Sequence, residues 1–226
     1  MLQERFPHAR VVALDLPGNG RLNAVPSPTS VQAMTECARR ELLAQGLEPP
    51  YKLLAMSLGA MVAIAWATEH MQEVTGAVLV NTSVGIHQPF YRRLKPAAWL
   101  PLLCVVLPGA SSALRERIIM RLTSHRHASA AAAPAEWIAA RESHPVSRRN
   151  AWRQLLAALR FRSPHRAPQV PMLVLSGERD RLVDPRCSRA LAELWHTDRA
   201  QHPDAGHDIA FDDAEWLVRQ IGEWQP

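Results

Sequence analysis

YKLLAMSLGAMVAIAWATE, residues 51–69, joins an apolar run to a small-residue, helix-prone run through one polar residue, Ser57. Tyr51 to Met56 predicts a buried strand and Leu58 to about Glu69 a helix, which leaves no loop between them. A chain that turns directly from strand into helix strains the corner residue and brings the two backbones together, so the positions two before and two after must be small. Ala55 and Gly59 satisfy that demand. The amide of the next residue, Leu58, would face an anion forming beside the serine oxygen. Ser57 therefore has two readings: the cap of a buried helix, since serine is a favoured N-cap, or a nucleophile held on a sharp turn.

The neighbouring segments set this corner in a repeating pattern. RVVALDLPGNG (10–20) carries an apolar run, Val11 to Leu16, that predicts a strand ending in a Pro-Gly-Asn-Gly turn. In PSPTSVQAMTECARRELLAQGL, Thr29 and Gln32 fit a capping box, Val31, Met34, Ala38 and Leu42 recur at helical spacing, and Gly46 supplies a stop. GAVLVNTS (76–83) predicts a third strand. The order is βαβαβ, and continuous apolar strands suit a parallel sheet covered by helices on both faces. From 88 to 162 three or four helical segments replace that pattern, with the alanine-rich HASAAAAPAEW as a linker. The sheet pattern resumes at VPMLVLSGERDRLVDP (170–185), a weaker strand runs through Arg199 to His202, and a last helix starting at Asp212 puts Leu217, Ile221 and Trp224 on one face. The expected fold class is α/β, a mostly parallel sheet flanked by helices. Its core comprises 1–83 and 169–226, and 84–168 is a helical insertion.

With 226 residues, 47% hydrophobic and 21% charged, the composition is that of a globular domain. The longest nearly uncharged stretch, AAWLPLLCVVLPGA, has fourteen residues and two prolines, too short and broken to span a bilayer. The start, MLQERFPHAR, shows no secretion signal, so a cytoplasmic location is expected. Cys37, Cys104 and Cys187 are odd in number and lack metal-site spacing, which predicts ordinary thiols. His125 and His127 in SHRHAS have no acidic or Cys companion in sequence and predict a solvated loop; no metal is expected. Charge is uneven. From Gly85 to Pro168, 14 Arg and Lys face three Glu, a balance of +11, which leaves −6 on the remainder.

A serine hydroxyl attacks poorly unless a base takes its proton and a third group orients that base. LSGERDRLVDP offers Asp180 and Asp184, and Asp184, lying before Pro185 and a helix-like segment, has the context of a helix cap. HPDAGHDIAFDD offers His202 and His207, of which His202 ends a strand or faces solvent. The Ala-x-Ser-x-Gly corner resembles the nucleophile elbow of the α/β-hydrolase superfamily, G-x-S-x-G, with alanine for the first glycine. The D-L-P-G-x-G turn at 15–20, the NTS strand end, the G-x-x-D acid loop followed by Leu182 and Val183, and the Gly206-His207 turn extend the resemblance over most of the chain. It implies a serine hydrolase without cofactor: Ser57 as nucleophile, His207 as base, Asp180 as its orienting acid, and the Leu58 amide as oxyanion donor.

The same resemblance implies two or three further strands and a His-Gly-type oxyanion loop before residue 11. Their lack predicts either an internal start or a rearranged sheet with a gap between the strand at 11–16 and that at 51–56. The insertion would form a cap over the site, with Trp99, Leu102, Leu103, Val105, Val106 and Leu107 lining an apolar acyl pocket and the arginines outward. The substrate expected is an acyl ester or thioester. An acidic acyl-carrier protein is a possible bearer, because one branch of the superfamily uses basic cap residues that way. No nucleic-acid recognition motif appears. The rival expectation is a catalytically impaired binding module that uses the basic insertion for an acidic protein or a lipid.

Overall fold

The structure, a computed structural model, describes residues 1–85, 88–128 and 130–224. Four strands form one sheet: β1 (Tyr51–Met56), β2 (Val74–Val80), β3 (Met172–Gly177) and β4 (Asp198–His202). They lie side by side in chain order and every pairing is parallel, with Leu53 opposite Ala77 and Leu79 opposite Val174. The helices are α1 (Leu2–Arg5), α2 (Val31–Ala44), α3 (Leu58–Glu69), α4 (Phe90–Arg93), α5 (Pro96–Val106), α6 (Ser112–Thr123), α7 (Ala135–Ser143), α8 (Arg148–Arg160), α9 (Arg186–Trp195), α10 (Ile209–Asp212) and α11 (Ala214–Glu223). No helix among the described residues is long and apolar enough to cross a membrane.

The continuous apolar runs of β2 and β3 are explained by helices on both faces. Ala77, Leu79, Met172 and Val174 point to one side, where they meet buried residues of α2, α3 and α9; Val78, Val80, Leu173 and Leu175 point to the other, under Ile209, Leu217 and Trp224. Helix α3 is buried from Ala60 through Ala67 because the sheet lies on one side of it and α2 on the other, so it has no polar face to present. β1 differs. Its Tyr51, Leu53 and Ala55 pack inward, whereas Lys52, Leu54 and Met56 are exposed, Leu54 by 42%. Like β4 at the other side, it is an edge strand, bonded among the described residues on one edge only.

Val11 to Leu16 is not a strand. No strand among the described residues pairs with it, and an apolar run without a ladder partner stays irregular, which leaves Val11 and Val12 exposed. The cap of α2 is Ser30, whose hydroxyl accepts the Ala33 amide, not Thr29 of the expected capping box. The last helix is capped one residue later than expected, by Asp213 accepting the Trp216 amide.

Between β2 and β3 the described residues form five helices, one or two more than the sequence suggests. Of the alanine-rich segment, the described residues up to Pro134 lie between α6 and α7, whereas Ala135 to Trp137 open α7 itself. Only Ala98 of α5 is buried; Trp99, Leu103 and Leu107 are exposed and Leu102, Val105 and Val106 partly so. The expected apolar pocket lining is therefore not enclosed: α5 packs against α6, and its Trp99 stacks on Phe90 of α4 while staying largely exposed. Nor do all the arginines face outward. Arg93 is buried and donates to the carbonyls of Ala158 and Leu159, Arg141 pairs with buried Glu116, and Arg153 donates to the Ser27 carbonyl.

Candidate active site

Ser57 sits at the corner between β1 and α3 with φ 53° and ψ −115°, a region that costs a non-glycine residue free energy and persists only where the surroundings over-determine it. An N-cap residue has extended backbone and a side chain bonded to the first turn; Ser57 has neither. The capping reading fails on both counts. Its amide donates to the Val80 carbonyl at 2.9 Å and its carbonyl accepts the Thr82 hydroxyl at 3.4 Å, so the end of β2 holds the corner. The Leu58 amide opens α3, where no carbonyl of the helix can reach it. A β-carbon on Gly59 would lie 3.9 Å from that of Ala55, an ordinary contact. Small residues are needed here, but alanine suffices.

Asp180 follows β3 and is 2% exposed. One carboxylate oxygen accepts the amides of Leu182 and Val183, at 2.7 and 2.9 Å, which leaves the other to face His207 Nδ1 at 2.7 Å. Its carbonyl accepts Lys95 Nζ at 2.6 Å, so the insertion touches the acid loop. With Nδ1 donating to a carboxylate, neutral His207 presents Nε2 as an acceptor. Burial by itself would lower the histidine's pKa, but the Asp180 charge and hydrogen bond, with help from Asp208, hold it above the ordinary histidine value. Asp184, by contrast, accepts the Arg186 amide and pairs with its guanidinium at the start of α9. That is a helix-terminus role, remote in chemistry from the imidazole.

The loop bearing His207 is anchored by residues that sequence alone leaves without a role. The side-chain carboxylate of Asp212 is fully buried and accepts from the Ser124 hydroxyl and the amides of His125, Arg126 and Gly206. The Asp208 amide donates to the Thr123 carbonyl at 2.7 Å. Residues 124–126 of SHRHAS are thus no solvated loop: they are laced to the histidine loop. His202 ends β4 as expected but is buried, accepting the amides of Asp204 and Ala205 on Nδ1 and meeting Asp213 with Nε2. Asn81, at the end of β2, donates to the carbonyls of His207 and Gly206. The NTS run was the only sequence sign of it.

Ser57 Oγ and the His207 ring share no hydrogen bond among the described residues. Both are nevertheless fastened to consecutive residues, Val80 through Thr82, at the C-terminal end of β2. Cys187 is no rival nucleophile, since burial pushes its thiol up to about 12. Glu36, Glu69 and His70 bring ligand atoms within 4.8 Å of one another, but Glu36 is already paired with His70 and Arg39, and Glu69 is exposed. Two surface recesses, about 430 Å³ beside α1 and α11 and about 230 Å³ beside the start of α2 and the end of α8, contain none of the candidate residues.

A model of the family described as serine aminopeptidase, S33, matches residues 7–214. The chain is 28% identical over 232 residues to a putative carbamate hydrolase, RutD, of Klebsiella pneumoniae (strain 342), a similarity that covers 91% of this chain and 77% of that protein. A 96-residue match at 29% identity to the protein PHYLLO, chloroplastic, of Arabidopsis thaliana takes in 39% of this chain, which spans 6% of that much longer protein. Among solved structures, a thermophilic esterase from Thermogutta terrifontis superposes with a TM-score of 0.69 at 22% identity, over 93% of this chain and 77% of its own. That likeness concerns the fold, and with the family match over nearly the whole length it places the chain in the serine aminopeptidase S33 family of α/β-hydrolases.

Proposed function

We propose that the protein is a cytoplasmic serine hydrolase that cleaves carboxylic esters or thioesters of small molecules through an acyl-enzyme. Neutral His207 takes the Ser57 proton on Nε2 as Oγ adds to the acyl carbon, and Asp180 holds the imidazole in that tautomer and stabilises the imidazolium. The oxyanion accepts from the Leu58 amide. Collapse breaks the acyl–oxygen or acyl–sulfur bond, with the imidazolium proton going to the leaving group; water then repeats the sequence on the acyl-serine. Residues 84–168 form the cap in this reading. Their balance of +11 favours a substrate with an anionic portion, an acyl chain on an acidic carrier protein among them, although charge is the sole ground for the carrier. The observation that carries the reading is the strained Ser57 corner and the buried His207–Asp180 pair hung from one strand end.

A fluorophosphonate probe, which reacts only with an activated serine, is the test. Labelling is expected for wild type and absent from Ser57→Ala and His207→Ala. Equal labelling of all three removes Ser57 from the chemistry, and no labelling of a folded wild type favours a binding module that has lost the reaction.

A further inference from the structure

We infer that Asn81 is a positioning residue for the base, a role that rests on the Ser57–His207–Asp180 reading. Asn81 is buried at the end of β2 with φ 48°, a left-handed conformation that asparagine tolerates better than most residues. Its Nδ2 donates to the carbonyl of His207 at 2.6 Å and of Gly206 at 3.2 Å, and its Oδ1 accepts the Gly177 amide at 2.9 Å. The amide's orientation is forced: flipped, its oxygen would face two carbonyls and its NH₂ an amide proton. Its own backbone N–H bonds the Leu175 carbonyl at 2.9 Å.

One side chain thus ties the residue that opens the acid loop to the backbone of the base itself. Asp180 begins three residues after Gly177, and its amide bonds the Gly177 carbonyl. The flanking residues of Asn81 hold the nucleophile, Val80 through the Ser57 amide and Thr82 through its carbonyl. Asn81 is the point at which the nucleophile, acid and base loops meet. The amide supplies two donors to the base loop, so its loss takes them from the carbonyls of Gly206 and His207 and loosens the backbone that carries the imidazole.

Asn81→Gly removes the side chain while accepting the left-handed backbone without strain, which separates placement of the base from backbone strain. The expected result is a cooperatively folded variant with kcat down by about 10²-fold, the size of effect that an ångström of misplacement causes, and KM within about threefold. The downfield proton resonance of the His207–Asp180 hydrogen bond should shift or broaden, which loss of packing elsewhere would not cause. Asn81→Asp, which keeps the volume and the acceptor but loses both donors, should show the same split between kcat and KM. A folded Asn81→Gly with kcat within about threefold of wild type and an unmoved resonance overturns the inference. So does failure of both variants to fold, because Asn81 then serves the fold and not the base. His207→Ala is measured alongside: if it keeps turnover, the triad reading itself fails, whereas an inactive His207→Ala beside an active Asn81→Gly sinks the positioning role alone.

Discussion

At the scale of single residues, the site's electrostatics make a directional claim about pH. In the proposed mechanism His207 must be neutral to accept a proton, and its pKa is raised, so the imidazolium persists to higher pH than for an ordinary histidine. The acidic limb of kcat/KM against pH is therefore expected above the reference histidine value of about 6.5. Asp180→Asn, which deletes the carboxylate charge, should move that limb toward lower pH while the plateau falls on the order of 10⁴-fold. A limb that stays in place in Asp180→Asn would remove that carboxylate from the base's surroundings. Ser57, Leu58, Asp180 and His207 were picked out as candidates from the sequence because chain order and strand ends mark them locally. Asn81 and Asp212 were not, since their meaning lies in partners 96 to 126 and 86 to 88 residues away.

Among the elements, β2, β3 and α3 were readable because burial on every side leaves a continuous apolar signature. The run at 11–16 carries the same signature, and periodicity cannot say whether a partner strand stands beside it. The elbow gives the same lesson in miniature. Smallness at Ala55 and Gly59 was legible, but the 3.9 Å spacing shows that Gly59 has room for a methyl group. Gly59→Ala should stabilise α3 by about 0.5–1 kcal/mol, read as a small rise in Tm. Gly206 is the contrasting case: a β-carbon there would stand 2.6 Å from the Thr123 carbonyl and 2.8 Å from the His125 amide. Gly206→Ala should cost roughly 1–3 kcal/mol and lower turnover with it. Thermal unfolding of the two variants side by side decides; a destabilised Gly59→Ala would mean that the corner is tighter than its spacing indicates.

Across the whole molecule, the insertion and the sheet are joined through Asp212. Burial pushes its carboxyl pKa up, but hydrogen bonds from Ser124, Gly206, His125 and Arg126 outweigh that and the net shift is downward. A group with a depressed folded pKa stabilises above its unfolded value, near 4, and that contribution fades as pH falls through the folded value. Asp212→Asn should therefore cost about 1–3 kcal/mol at neutral pH, and the gap to wild type should shrink below about pH 4. Urea unfolding of both proteins at pH 7 and pH 3 measures this; a gap that is independent of pH would show that the charge has no part in it. The uneven charge of the chain was legible from composition, whereas this junction was not, because Asp212 looked like the first residue of the last helix.

Lacing 123–126 to 206–212 has a practical corollary for protein engineers. An insertion of this kind invites transplanting its helices from one relative to another, with the sheet treated as a neutral chassis. Here the transplant would carry away the donors that Asp212 expects, and the His207 imidazole could drift although Ser57, Asp180 and His207 had all been kept. A workable chimera has to move the two segments as a pair.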